Sequence, residues 1–353
     1  MIKDNLVIAV SGLNAGENPQ PGVAVIRLLR RGGFKGKIIG LAYDAYESGI
    51  YAPDLADEVY IMPFPSAGAD ATMLRLKTIL SKTRVDVIIP TLDSELLPYI
   101  SIEGRLKEYG VRMYLPTREQ FMMRDKSRLS DFGHKYKIPT PKSMIITSPD
   151  QIRDIPDKME LPVMVKGRFY EAYQAFTLGE ITKYFNILNS KWGLPVIIQD
   201  YLEGEEYNVV AIGNGKGDIT CEIPIKKVVI TEKGKGFAAV VIKDLKLAHF
   251  GKRIIKALKW RGPLELEIRK SNNNKYYLLE INPRLPAWIA LTAGAGQNFP
   301  EILVRLALGE KIKPLTKYQV GKLFIRHNED IILDIATVGK LTATGALHNL
   351  RGV

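Results

Sequence analysis

The chain of 353 residues has a single cysteine, Cys221. One thiol excludes an intrachain disulfide framework and leaves too few soft ligands for a structural zinc site. The histidines, His134, His249, His327 and His348, are scattered without metal-ligand spacing, and none can be named as a general base. No apolar run approaches the roughly 20 residues that cross a bilayer. The opening Met1-Ile2-Lys3-Asp4 lacks the apolar stretch of a secretion signal. The expectation is a cytoplasmic protein with no membrane partner. No segment repeats, and none is of low complexity. The net charge is +12, yet the basic residues are spread along the chain, with no dense basic run, helix-turn-helix or zinc finger. That distribution favours a lysine-rich surface around a polyphosphate site over nucleic-acid binding.

Hydrophobic content of 46% and charged content of 25% are ordinary for a soluble globular protein, and the length calls for two or three lobes. Near the N-terminus, Leu6–Val10, Lys37–Leu41 and Val85–Pro90 are continuous apolar runs, and a helical pattern spans Gly22–Arg31. Such alternation predicts a parallel, doubly wound sheet. The loop Ser11–Gly16 contains glycine but is not G-x-G-x-x-G, so a dinucleotide site does not follow. Asp93 and Glu95 follow the third run and read as helix N-capping and dipole-complementing residues ahead of substrate contacts.

A boundary falls near Tyr114–Thr117, and Phe121–Lys137 then reads as one helix, stopped by Ile138-Pro139-Thr140-Pro141. Lys126 on it would, by itself, be a solvated surface lysine. Leu161–Gly167 is a strand closed by Lys166, and a charge ending a buried run must reach solvent or an anion. After the break Trp192–Pro195, the strand Val196–Asp200 leads through Tyr201 and Leu202 to a turn at Glu203-Gly204 and then Glu206. Ile223–Val228 and Thr231–Gly236 form a basic, hairpin-like stretch. Adjacent strand residues face opposite ways, so only one of Lys226 and Lys227 points inward. Lys227 is preferred and Lys235 is the fallback, against the alternative of a solvated basic strand. Helices are expected at Asp244–Lys259 and Glu301–Leu308.

The most informative stretch is Gly262–Glu267 with Leu278–Arg284. Both halves alternate strictly, which predicts two strands. A two-residue turn at Asn273-Asn274 would place Glu267 opposite Glu280 and Glu265 opposite Asn282. One face then carries Glu265, Glu267, Glu280 and Asn282. The other carries Leu264, Leu266, Ile268, Leu279 and Ile281. Opposed carboxylates beside an apolar core want a hard cation such as Mg²⁺, which accepts carboxylate and amide oxygens and keeps room for phosphate. Arg284, on the same side, suits an anionic ligand. The alternative is a solvated acidic face on an amphipathic hairpin.

Leu279-Glu280-Ile281-Asn282-Pro283-Arg284, with an acidic residue on the preceding strand, resembles the metal-binding signature of the ATP-grasp superfamily. Asp125-Lys126 before Ile-Pro-Thr-Pro, Pro162-Val163-Met164-Val165-Lys166, and Gln199–Glu206 are similar to three further motifs of that family, in its order. The resemblance implies an α/β protein of α+β lobes: an N-terminal doubly wound parallel-sheet domain followed by a two-lobed ATP-grasp domain. The expected boundaries are 1–116 and 117–353, with a lid lobe at about 140–202 and a metal and catalytic lobe at about 203–353. It further implies that Lys126 and Lys166 contact ATP phosphates and that Gln199, Tyr201 and Leu202 hold adenine. Glu206 would take the ribose hydroxyls, and Glu267, Glu280 and Asn282 would hold two Mg²⁺ ions, with Mn²⁺ an acceptable substitute. Arg284 and Lys227 would act on the reacting groups, and Glu265 is left beside the metal or the substrate.

The implied activity is a ligase that phosphorylates a carboxylate and joins it to an amine. Its partners would be small molecules, and a homodimer is allowed. The similarity extends to the ATP-grasp unit of the carbamoyl-phosphate synthase large subunit, so a bicarbonate- or carbamate-phosphorylating unit is an alternative. Another is a non-catalytic ATP-binding regulator. It is prompted by Arg168–Gln174, where many ATP-grasp enzymes have a glycine- and serine-rich lid loop and this chain has only Gly167 nearby.

Overall fold

A computed structural model describes residues 2–16, 18–53, 55–231, 236–348 and 350. The fallback Lys235 lies outside them. The N-terminal apolar runs form β1 (Val7–Ser11), β2 (Lys37–Ala42), β3 (Glu58–Ile61) and β4 (Val87–Ile89), all parallel. They are buried on both sides, as runs without alternation require. Helix Pro21–Arg31 begins one residue before the expected start, with proline at its first position, where no amide bond is lost.

The next strands are β5 (Ser143–Ile146), β6 (Val163–Gly167), β7 (Ala172–Ala175) and β8 (Val196–Asp200). They make an antiparallel sheet in the order β5-β8-β6-β7. Its core, with Val163, Val165, Ile181, Phe185, Leu188 and Ile198, contains residues of this lobe only.

The third sheet holds β9 (Gly204–Asn214), β10 (Ile219–Ile230), β11 (Gly236–Val241), β12 (Arg261–Ser271), β13 (Tyr276–Asn282) and β14 (Leu323–Ile325). Its order is β13-β12-β9-β10-β11-β14. One face buries Val209, Ala211, Leu264, Leu266, Ile268 and Leu278 against helix Leu245–Leu258. On the other, Val210, Ile212, Cys221, Ile223 and Ile225 join one core with Val25, Ile26 and Leu29 of the N-terminal unit. The chain then returns: β15 (Ala346–His348) pairs antiparallel with β3 and closes the first sheet as β15-β3-β2-β1-β4.

Four local expectations are corrected. Phe121–Lys137 is not one helix. Helix Arg118–Phe121 and a 3₁₀ turn, Met122–Arg124, stop at Asp125, which is extended, and helix resumes over Leu129–Tyr136 after a second turn, Lys126–Arg128. The cause is local: the Asp125 carboxylate accepts from Ser127 N at 3.0 Å and Ser127 Oγ at 2.7 Å, so it caps the second turn rather than continuing the first.

The β12–β13 turn has three residues, Asn272–Asn274, with Asn274 at φ 61° and its N–H donating to Ser271 O at 2.8 Å. A left-handed third residue is what a three-residue hairpin loop uses. This alone would slide the register by one. A bulge between Glu267 and Ile268 on one side and Glu280 and Leu278 on the other slides it back, so Glu267 opposes Glu280 and Glu265 opposes Asn282. The bulge also corrects the apolar face: Leu278 is fully buried in the core, whereas Leu279 is half-buried. Helix Phe299–Ala307 starts two residues before the expected Glu301, because Asn298 caps it by accepting from Glu301 N.

Candidate active site

The polar stripe follows from alternation. Along β12, Glu265, Glu267 and Arg269 project to one face, and Glu280 and Asn282 of β13 stand opposite the two glutamates. On the other side of β12, Glu267 pairs with Asn208 and Arg269 with Glu206 of β9. Lys227 of β10 completes the row and lies buried between carboxylates, 2.9 Å from Glu206 Oε2 and 3.7 Å from Glu267 Oε2. Lys226 points the other way and pairs with the exposed Glu205. Burial opposes the Lys227 ammonium, but Glu267 and Glu206 outweigh it and hold it charged, well above the usual lysine range.

The break at Asp125 aims Lys126 at this stripe. Its Nζ donates to Glu280 Oε1 at 2.9 Å and to Phe169 O at 2.8 Å. From the lid sheet comes Lys166, 8% exposed, which donates to Gln199 Oε1 at 2.6 Å. Burial, then the like charge of Lys126, pushes the Lys166 ammonium down to about 8. Gln199 in turn donates to Ser143 Oγ at 3.1 Å. Tyr201 and Leu202 join β8 to β9. The Arg269 guanidinium donates to Leu202 O at 3.0 Å and lies over the Tyr201 ring. Both Glu206 oxygens are engaged, Oε1 by Arg269 and Oε2 by Lys227.

Arg284 stands just past β13. Its Nε donates to Asp93 Oδ2 at 2.7 Å, and Nη1 lies 3.5 Å from Glu265 Oε2. Burial favours a neutral Asp93 carboxyl, but Arg284, then Arg124, holds it below the usual range. Glu265 is fully enclosed, accepting from Trp288 Nε1 at 2.7 Å and from Asn208 Nδ2 at 2.6 Å. Burial and the neighbouring Glu267 charge push Glu265 up. Glu267 is half-buried; desolvation opposes its charge too, but Lys227, Lys126 and Arg284 pull it down. Two adjacent carboxyls are thus driven apart, with Glu267 the one kept ionised.

The glycine-poor lid loop is anchored by side chains. Arg168 places Nε 2.7 Å and Nη2 2.6 Å from Asp125 Oδ2. Arg124 sits over the rings of Phe121, Phe169 and Tyr170. Burial works against the charged Asp125, but its hydrogen bonds to Arg168 and Ser127 hold the carboxyl below the usual range.

Of the residues singled out from sequence for this site, all but Lys235 lie among the described residues. Lys126, Lys227, Glu206, Glu267, Glu280 and Asn282 are gathered on or against one sheet face. Lys166 and Gln199 approach from the lid, and Arg284 closes one end. Sequence reading missed Arg269, Asn208 and Trp288, and read Asp93 as a helix-capping residue. Arg269 was within reach of the period-2 pattern, two residues past Glu267. Glu95 does cap: it accepts from Thr91 N at 2.7 Å and Leu92 N at 2.8 Å, whereas Asp93 turns to Arg284 instead.

The comparisons agree with this architecture. Residues 194–328 match the family described as ATP-grasp in the biosynthetic pathway with Ter operon. A chain of the biotin carboxylase domain of the Hydrogenobacter thermophilus 2-oxoglutarate carboxylase, solved as a dimer with MgADP and bicarbonate, superposes with a TM-score of 0.68. It is 16% identical, over 86% of this chain and 70% of that one. The chain has the ATP-grasp fold. The L-amino acid ligase of Bacillus licheniformis shares it with a TM-score of 0.65 and 14% identity, over 87% of this chain and 75% of the ligase. In sequence, the carbamoyl phosphate synthase large chain of Thermoanaerobacter pseudethanolicus is 28% identical over 149 residues, 39% of this chain. The matched part is 14% of that large chain's length. Among the described residues of this ATP-grasp chain, no helix is long and apolar enough to cross a membrane.

Proposed function

We propose that this ATP-grasp protein is an ATP-dependent carboxylate–amine ligase. Its two units would divide at about residue 116, with the nucleotide between the lid sheet and the third sheet. The observation that carries the reading is convergence. Lys126 and Lys227, from segments far apart in the chain, each sit within 4 Å of a hairpin carboxylate, and Lys166 lies near enough to feel both Glu267 and Glu280. Cations clustered on carboxylates in a cleft are what a metal–polyphosphate complex needs.

The donor set fits Mg²⁺. Among the described residues no group of three or more His, Cys, Asp or Glu forms a cage. Two opposed carboxylates and an amide suit a cation that takes its remaining ligands from water and phosphate. Glu267, Glu280 and Asn282 would hold two such ions, which when bound would neutralise charge on the γ-phosphoryl group.

The chain's own residues supply the rest. Lys166 and Lys126 bind phosphate oxygens, the Gln199–Leu202 link faces adenine, and Glu206 accepts from the ribose hydroxyls. Lys227, kept cationic by its carboxylate neighbours, orients the γ-phosphoryl group. A substrate carboxylate oxygen attacks that phosphorus, ADP leaves, and an acyl phosphate forms. Arg284 holds the acyl oxygen while an amine attacks the carbonyl carbon, expelling phosphate and losing a proton. The work is positioning and electrostatics, in keeping with the lack of a nucleophile motif. Carboxylate and amine are the only other partners this chemistry needs.

The test is ADP release with Mg²⁺ across amino acids, dipeptides and small carboxylates, paired with amines. Turnover requiring both a carboxylate and an amine is expected, and no response to any pair would sink the reading. A second reading rests on the curated relatives, all three of them carbamoyl phosphate synthase large chains. It predicts ADP release with bicarbonate and ammonia alone.

A further inference from the structure

Arg284 is held from outside the segment that matches the family. That match spans residues 194–328, which contain Arg284, Glu265 and Trp288. Asp93 belongs to the N-terminal unit, at the first turn of helix Asp93–Glu108, 191 positions away in sequence. We propose that Asp93 is a positioning residue: the N-terminal unit uses it to set the Arg284 guanidinium against the reacting acyl group. This rests on the ligase reading above.

Three observations carry it. The pairing is directional, with one carboxylate oxygen on Nε at 2.7 Å, while Nη1 is taken by Leu285 O at 3.3 Å and Glu265 Oε2 at 3.5 Å. The plane of the guanidinium is therefore fixed at two edges, and among the described residues Nη2 makes no hydrogen bond. Second, Asp93 Oδ1 is buried without a hydrogen-bond partner among the described residues. The N-terminal unit does not satisfy this carboxylate for its own sake, and a half-satisfied buried ion pair is a poor device for stability. Third, the pair sits where the N-terminal unit meets the polar stripe, close enough for Lys126 and Arg124 to act on Asp93. Docking of the N-terminal unit and orientation of Arg284 are thus one event.

The experiment compares Asp93→Ala and Asp93→Asn with the wild-type chain by ADP release and by phenylglyoxal labelling of arginines read by peptide mass spectrometry. Asp93→Ala should lower kcat about 10- to 100-fold, the range seen when an orienting partner is removed. KM for ATP should stay within about twofold. Asp93→Asn, which keeps an acceptor oxygen, should recover part of the loss. Arg284 should label faster in Asp93→Ala, while Arg269, held by Glu206, labels as before. An unchanged kcat in a turning-over enzyme, or unchanged Arg284 labelling, would overturn the proposal. If Asp93→Ala does not fold, Asp93→Asn decides by the same readouts. If the wild-type chain turns over no substrate pair, the ligase reading fails, and the labelling alone still decides whether Asp93 sets Arg284.

Discussion

On the β12–β13 hairpin, Glu267, Glu280 and Asn282 stand at opposed positions of a sheet, over a face filled by Leu264, Leu266, Ile268 and Leu278. In the lid, by contrast, Lys166 lies near the end of β6 in a four-stranded sheet whose core contains only lid residues, and one side chain, Gln199, accepts its hydrogen bond. The carboxylate floor is fixed by backbone register shared with β9 and by a core shared with helix Leu245–Leu258. The lid side is fixed by side chains: Arg168 on Asp125, Arg124 among three rings, Lys126 on Phe169 O. In the proposed ligase a metal site would tolerate little positional error, whereas a lid would have to admit and release a nucleotide. The sheet would then be the rigid half and the side-chain contacts the adjustable one.

The largest effect should come from the floor. Glu280→Gln keeps an oxygen for Lys126 and the same shape, but removes the charge opposite Glu267. Turnover should fall on the order of 10³-fold, with the melting temperature little changed. Measured ADP release at the wild-type rate would remove Glu280 from the proposed metal set.

How much of this was legible before folding depends on the range of the interaction. The Glu267–Glu280 and Glu265–Asn282 oppositions follow from alternation, since each strand commits its polar residues to one face. The path between them does not. Three consecutive asparagines, Asn272–Asn274, could each take a positive φ, and only Asn274 does. The bulge then compensates, which no pattern in Leu278–Glu280 announces. The break at Asp125 was hidden by an otherwise helical composition, because a capping carboxylate looks like any exposed helix residue. The Asp93–Arg284 pair joins residues 191 apart and has no local signature at all. Likewise β15 pairs with β3 across most of the chain length, a contact without a local signature.

The bulge sets the next prediction. Leu278 is fully buried and Leu279 is not, although alternation from the turn had placed Leu279 inside. Leu278→Ala should cost about 2–5 kcal/mol in urea unfolding, the range for a leucine removed from a closed core. Leu279→Ala should cost about 1 kcal/mol or less. Equal losses would mean that the floor is not pinned by this bulge, and the contrast with the lid would weaken.

The lid side should respond more gently and with a pH signature that the floor lacks. Lys166 is pushed down to about 8 by burial and by Lys126. Below that value it is an ammonium, able to bind phosphate, and above it the charge is lost. ATP affinity should therefore begin to fall as pH rises through about 8. Bound phosphate favours the ammonium, so the fall continues above that point rather than ending there. Lys166→Met removes the charged hydrogen bond at similar bulk, and affinity at pH 7 should drop about 10- to 100-fold, the equivalent of 1.5–3 kcal/mol. Its affinity should then vary less between about pH 7 and 9, because the ammonium that titrates near 8 is gone. Calorimetric titration of both proteins with Mg²⁺-free ATP at several pH values isolates the lid from the floor. If the variant kept the wild-type slope, the titrating group would lie elsewhere, and Lys166 would be a strand-ending lysine satisfied by Gln199 alone.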